Sequence, residues 1–213
     1  MTATADTDRT ETEAPSRPIA LAVFLVIAGV TGLIAAFELM VEKIAVLEDP
    51  THSVSCDFSV LVGCSTNLAS EQGAVFGFPN PIIGLVCWPV VITIGMALLS
   101  GARFSRWFWI GFNVGVTAAL AFVCWLIFQS IYVLDVLCPW CMLTWAVTIP
   151  TFWAVTLRNV AEGVFGGGAS VRRVGAALAG WIPLITVVCY LVVVLLAQLR
   201  MDAIPRIWFD LFA

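Results

Sequence analysis

Charge is what this sequence has least of. Asp, Glu, Lys and Arg together make up 11% of 213 residues, against roughly 25% in an ordinary soluble domain. With 61% of the residues hydrophobic, a soluble globular chain is excluded, and most segments must be solvated by lipid. No block of Lys and Arg occurs and the formal net charge is −4, so a nucleic-acid partner is not expected. Also missing are a haem or iron–sulfur cysteine pattern and a Gly-rich dinucleotide fingerprint. Any electron chemistry must then rest on the chain's own thiols and on an acceptor that needs no such motif. The length admits one compact membrane domain and no second globular domain of ordinary size.

Long apolar runs are what the sequence has instead. Residues 1–18 carry Thr, Ala, Asp and Glu without apolar periodicity and read as a disordered tail. The first run, 19–46, is too long for a signal-peptide core and no small-residue cleavage site follows it, which predicts an uncleaved membrane helix. Glu38 and Glu42 share a face near its far end, where the run is expected to emerge into headgroups and water. Residues 47–79 form a polar loop without Lys or Arg. Further spans are expected over 81–100, 107–134, 140–157 and 174–199, with a basic Gly-rich loop over 158–173 and a short tail at the end. The expected class is therefore an all-α integral membrane protein with five transmembrane helices. A catalytic unit is expected over 19–160, followed by a loop, a fifth helix and a tail over 161–213.

Lys and Arg set the expected orientation. With the amino terminus inside, the inner segments hold Arg9, Arg17, Arg103, Arg106, Arg158, Arg172 and Arg173, and the outer ones Lys43, Arg200 and Arg206. This bias predicts a cytoplasmic amino terminus in a plasma or inner membrane. Cys56, Cys64, Cys138 and Cys141 then face the extracytoplasmic side, where disulfides persist.

Cys138-Pro139-Trp140-Cys141 stands at the mouth of the fourth span. If Cys138 caps that helix, Pro139 takes its first position. Cys141 then lies in the first turn, where unpaired N–H groups and the positive helix end favour a thiolate. Cys56 and Cys64, in the polar loop, fit either a static disulfide or one half of a relay. Exchange between two pairs needs a thiolate from one to attack a disulfide of the other. Cys87, Cys124 and Cys189 lie inside spans and read as small packing residues. A membrane-dissolved quinone is an acceptor that needs only an apolar slot and one or two donors. Asn80 begins the second span, and Trp145 shares a helix face with Cys141 and carries a donor-only indole. A helix cap and an interfacial aromatic are the alternative roles of these two residues.

The ordered set Cys56-x7-Cys64, Ser70, Gly73, Phe76-Gly77, Asn80 and Cys138-Pro139-Trp140-Cys141 resembles the vitamin K epoxide reductase family. The resemblance implies a four-helix bundle around a quinone (menaquinone or ubiquinone), capped by the loop between the first two spans, with the fifth helix beside it. It implies Cys141 as the thiol that meets the quinone, Cys138 as its disulfide partner, and Cys56 and Cys64 as the shuttle. Ser70 and Asn80 match positions near the quinone head or steadying the cap. Animal members place a tyrosine where Trp145 stands, so the donor is changed rather than lost. Many bacterial members carry a fused thioredoxin-like domain after the fifth span. Only a short tail follows here, so the expected redox partner is a separate extracytoplasmic thioredoxin-fold protein of the DsbA type.

Two other functions compete with disulfide formation. One is a quinone-epoxide reductase. The other is a non-enzymatic membrane bundle with structural disulfides, in which Asn113 and Gln129 would be intramembrane polar residues in need of partners. A DsbB-type oxidase also has four spans and two cysteine pairs, but its Cys-x-x-Cys lies in the first outer loop, the reverse of the order here.

Overall fold

The computed structural model describes residues 18–212, so the tail expected over 1–18 lies outside the described residues except for Pro18. Five helices are long and apolar enough to cross a membrane. They are α1 (Ile19–Glu48), α3 (Pro81–Leu99), α4 (Arg106–Gln129, continued by a π turn Ser130–Leu134), α5 (Pro139–Ala161) and α7 (Ile182–Met201). Shorter helices are α2 (Ser65–Ala69) in the long loop, α6 (Ala169–Ala179) and α8 (Ala203–Phe212). No strand occurs among the described residues, and the protein is an all-α membrane protein.

Lipid tails are as apolar as leucine, so membrane helices associate through close packing of small residues. The buried face of α1 shows this: Ala22, Leu25, Gly29, Gly32, Ala36 and Leu39 recur at alternating steps of three and four. The seam faces α3. A Cβ added at Gly29 would lie 2.6 Å from Ile92 Cγ1, and one at Gly32 would enter the Trp88 indole. α5 is the central element, in contact with α1, α4, α6 and α7.

Intramembrane polar groups are costly unless paired. Asn159, fully buried on α5, donates to Asn113 Oδ1 and to the Trp109 carbonyl, each at 3.1 Å. Arg158 donates to Asn159 Oδ1 and lies 3.8 Å from the Trp109 ring centroid. The expected loop over 158–173 is thus helical at both ends.

The fifth span also departs from expectation. The apolar run 174–199 is split: α6 ends at Ala179 with Gly180 as its C-cap, and α7 begins at Ile182 with Pro183 in its first turn. Hydropathy alone joins these segments, but Gly and Pro punctuate the chain between them, and α6 carries Arg172 and Arg173 beside exposed Val171 and Val174. The tail after α7 is not irregular either, since it forms α8. Cys87 and Cys124 are exposed on the outside of the bundle rather than packed within it.

Candidate functional site

The long loop is clamped to the end of α1 from two sides. Glu42 is buried and accepts hydrogen bonds from the Ser55 hydroxyl, from Ser55 N at 3.1 Å and from His52 Nε2 at 3.1 Å. The next residue, Lys43, donates to the Leu68 carbonyl at 2.6 Å, in the last turn of α2. The α1 end thus grips the loop instead of emerging into water. Further along, Asp57 Oδ1 accepts from Cys64 N at 2.6 Å and Ser65 N at 3.1 Å, folding the Cys56–Cys64 segment back on itself.

A single parallel bridge then sets the register. Leu137 N donates to Leu61 O at 2.8 Å and Gly63 N to Leu137 O at 3.1 Å, with Val62 opposite Leu137. On the other strand of this bridge, α4 ends in its π turn and Asp135 takes a left-handed φ of 49° that turns the chain back. The residues that follow the bridge are Cys64 and Cys138, both fully buried.

All four predicted cysteines meet here. Cys56 and Cys64 form a disulfide, while Cys138 and Cys141 are free thiols. Cys138 Sγ lies 3.4 Å from Cys64 Sγ. Cys138 is the N-cap of α5, Pro139 opens the helix, and Cys138 Sγ accepts from Cys141 N at 3.4 Å. The Cys141 thiol, with backbone N–H groups of Cys141 and Trp140 behind it, holds the Cys138 thiol below its ordinary range. Leu39, Val54, Leu68 and Trp140 pack around the sulfurs and exclude water. Cys56 is 4% exposed, between exposed Ser55 and Asp57.

Beneath the sulfurs lies a cavity of about 320 Å³ between α1, α3, α4 and α5. Cys141, Thr144, Trp145, Thr148 and Thr151 recur along one face of α5 and line it. The three threonine hydroxyls donate to carbonyls one turn back within α5, at 2.6 to 3.1 Å. Trp145 is different: it is buried, and its indole Nε1 has no hydrogen-bond partner among the described residues. A donor-only group left over in an apolar slot suits a flat apolar molecule that carries an acceptor oxygen. The cavity runs out between α3 and α4, where lining residues Val86, Cys87, Val90, Gly115 and Ala119 are exposed.

Asn80 also lines the cavity, but its amide is engaged with the loop. It donates to Gln72 O at 2.6 Å and accepts from Val75 N at 3.1 Å. Ser70 lies outside the lining, donating to Asn67 O at 2.8 Å and accepting from Gly73 N at 3.1 Å. Sequence reasoning missed Glu42 and Asp57 as anchors, and it missed Asn67, whose Nδ2 is 3.5 Å from Cys141 Sγ.

Residues 23–156, more than half of the chain, match the model of the Vitamin K epoxide reductase family. The chain belongs to the vitamin K epoxide reductase family. Its members are oxidoreductases, and the family points to disulfide or quinone chemistry in a membrane. The match begins inside α1 and ends inside α5, so it covers the cavity and both cysteine pairs and leaves out α6, α7 and α8. Neither curated proteins nor solved structures give a significant match.

Proposed function

We propose that this chain is a quinone-dependent thiol–disulfide oxidoreductase that reoxidises a separate extracytoplasmic thioredoxin-fold protein of the DsbA type. It would thereby drive disulfide formation in exported proteins. The reading is carried by the 3.4 Å approach of Cys138 Sγ to Cys64 Sγ, with Cys141 one turn on at the cavity. A disulfide that only pinned the loop would need no foreign thiol at its sulfur. Orientation follows the charge bias: Arg106, Arg158 and Arg172 lie at the end of the bundle away from the cysteines.

The steps balance in two halves. A partner thiolate attacks Cys56 and expels Cys64, and the partner's second thiol then displaces Cys56, which leaves the partner oxidised and the loop pair reduced. Next, Cys64 attacks Cys138 of a Cys138–Cys141 disulfide and expels Cys141. Cys56 then attacks Cys64 and expels Cys138. The loop disulfide is restored and two electrons reside on Cys138 and Cys141, the redox state of this structure. A thiol with a lowered pKa leaves faster, so the hydrogen bonds on Cys138 favour this last displacement.

Quinone in the cavity, menaquinone or ubiquinone, supplies a two-electron, two-proton acceptor drawn from the membrane. Cys138 and Cys141 close their disulfide as they give up electrons and protons. Trp145 Nε1–H would donate a hydrogen bond to an acceptor oxygen of that molecule. Asn80 and Ser70 hold the loop that roofs the cavity.

Quinol formation by the dithiol-reduced protein in detergent tests the reading, with wild type beside Cys141→Ala. Wild type should form quinol and the variant should lose activity by at least about 10³-fold, as for removal of an essential nucleophile. No quinol from wild type with several quinones, or full activity in Cys141→Ala, would overturn it. Turnover of an epoxide in place of a quinone would instead indicate the epoxide-reductase alternative.

A further inference from the structure

Cys64 and Cys138 each stand just before a helical turn, and the residues three positions on are Asn67 and Cys141. The two turns meet in register. Cys138 Sγ reaches Cys64 Sγ at 3.4 Å, and Asn67 Nδ2 reaches Cys141 Sγ at 3.5 Å. Both Asn67 and Cys141 line the cavity. The Asn67 backbone is fixed, since its carbonyl accepts from Ser70 Oγ at 2.8 Å and Ser70 N at 3.3 Å.

The donors around the two thiols are unevenly shared. Cys138, as N-cap, receives the Cys141 N–H, while Cys141 sits inside the helix among apolar groups. Backbone donation therefore favours charge on Cys138, which does not line the cavity. The Asn67 amide opposes this bias, because a hydrogen bond to the charged form favours that form.

We propose that Asn67 is a further catalytic residue, whose side-chain amide donates a hydrogen bond to the Cys141 sulfur and holds it as the thiolate while α2 seats Cys64 against Cys138. This rests on the reading of Cys141 as the thiol that delivers electrons at the cavity. Because Asn67 travels with Cys64, the donor is in place only when the loop is docked. A loop that swings out to meet its partner takes the donor with it and leaves Cys141 protonated.

The test uses the full chain in detergent with the loop disulfide intact and Cys87, Cys124, Cys189 and Cys138 replaced by Ala, so that Cys141 is the lone free thiol. Iodoacetamide alkylation of Cys141 is followed against pH. Asn67→Leu should raise the alkylation midpoint by about one unit, a tenfold loss of thiolate near neutral pH. Asn67→Asp keeps the side-chain shape but turns the donor into a negative acceptor, and it should raise the midpoint further. Should the Leu variant fail to fold, the Asp variant decides. Unchanged midpoints with the loop disulfide intact would overturn the proposal. Quinol formation is measured in parallel on wild type and Asn67→Leu with Cys138 restored. Absence of quinol from wild type would overturn the quinone reading and leave the midpoints to judge Asn67. A wild-type rate in Asn67→Leu would overturn the role of Asn67 alone.

Discussion

Glu42 is a carboxylate in the last turns of a membrane helix, yet it is buried and spends both oxygens on the loop. Its partners, His52 and Ser55, lie four residues and one residue before Cys56, so Glu42 governs how far that half of the disulfide can move. Glu42→Ala should open the segment about tenfold more often, as expected for loss of charge-assisted hydrogen bonds. Amide hydrogen exchange across residues 52–57 reads this, and unchanged protection would contradict it. The sulfur register makes a second prediction. Cys56→Ser leaves Cys64 without its partner, and Cys64 should then be captured on Cys138, giving a 64–138 linkage in non-reduced peptide mass spectra. A 64–141 linkage would contradict the order of exchange. The four cysteines were legible in the sequence because each pair is short-range and chemically distinctive. Asn67 was not, because its meaning depends on two helical turns 74 residues apart meeting in register, which no local pattern encodes.

At the scale of elements, the fifth membrane helix acquires a structural task. Pro150 inside α5 has no N–H to give the Ala146 carbonyl. Tyr190 on α7 donates its hydroxyl to that carbonyl. In lipid, such a carbonyl has no water to turn to, so the proline that weakens α5 also creates the point where α7 docks. Tyr190→Phe should cost about 1 kcal/mol, measured by unfolding in mixed detergent, and no loss would argue that the contact is incidental. Farther along α7, Ala197 and Met201 pack with Leu61 and Leu137, the residues whose bridge aligns Cys64 with Cys138. The number of membrane helices was legible, since twenty apolar residues announce themselves. The split at Gly180 and Pro183 was not, because hydropathy does not register a change in direction between an amphipathic helix and a spanning one.

As a whole, the molecule would separate two traffic routes on the proposed function. The loop pair lies at the end of the bundle opposite Arg106, Arg158 and Arg172. The cavity instead runs out sideways between α3 and α4 past exposed Val86, Val90, Gly115 and Ala119. The resemblance read from the cysteine order reaches across α1 to α5, and the family match covers the same ground. The sequence could not show that the cavity has a lateral mouth, because it arises from where α3 and α4 part rather than from any one residue. The sulfurs of the two routes meet at the contact between Cys64 and Cys138. On the proposed function neither visitor needs the other present: the reductant would depart before the oxidant is used, with two electrons held on one dithiol between them. The kinetic form expected on that proposal is ping-pong, a water-borne half-reaction and a lipid-borne half-reaction joined by thiol–disulfide exchange between the two cysteine pairs.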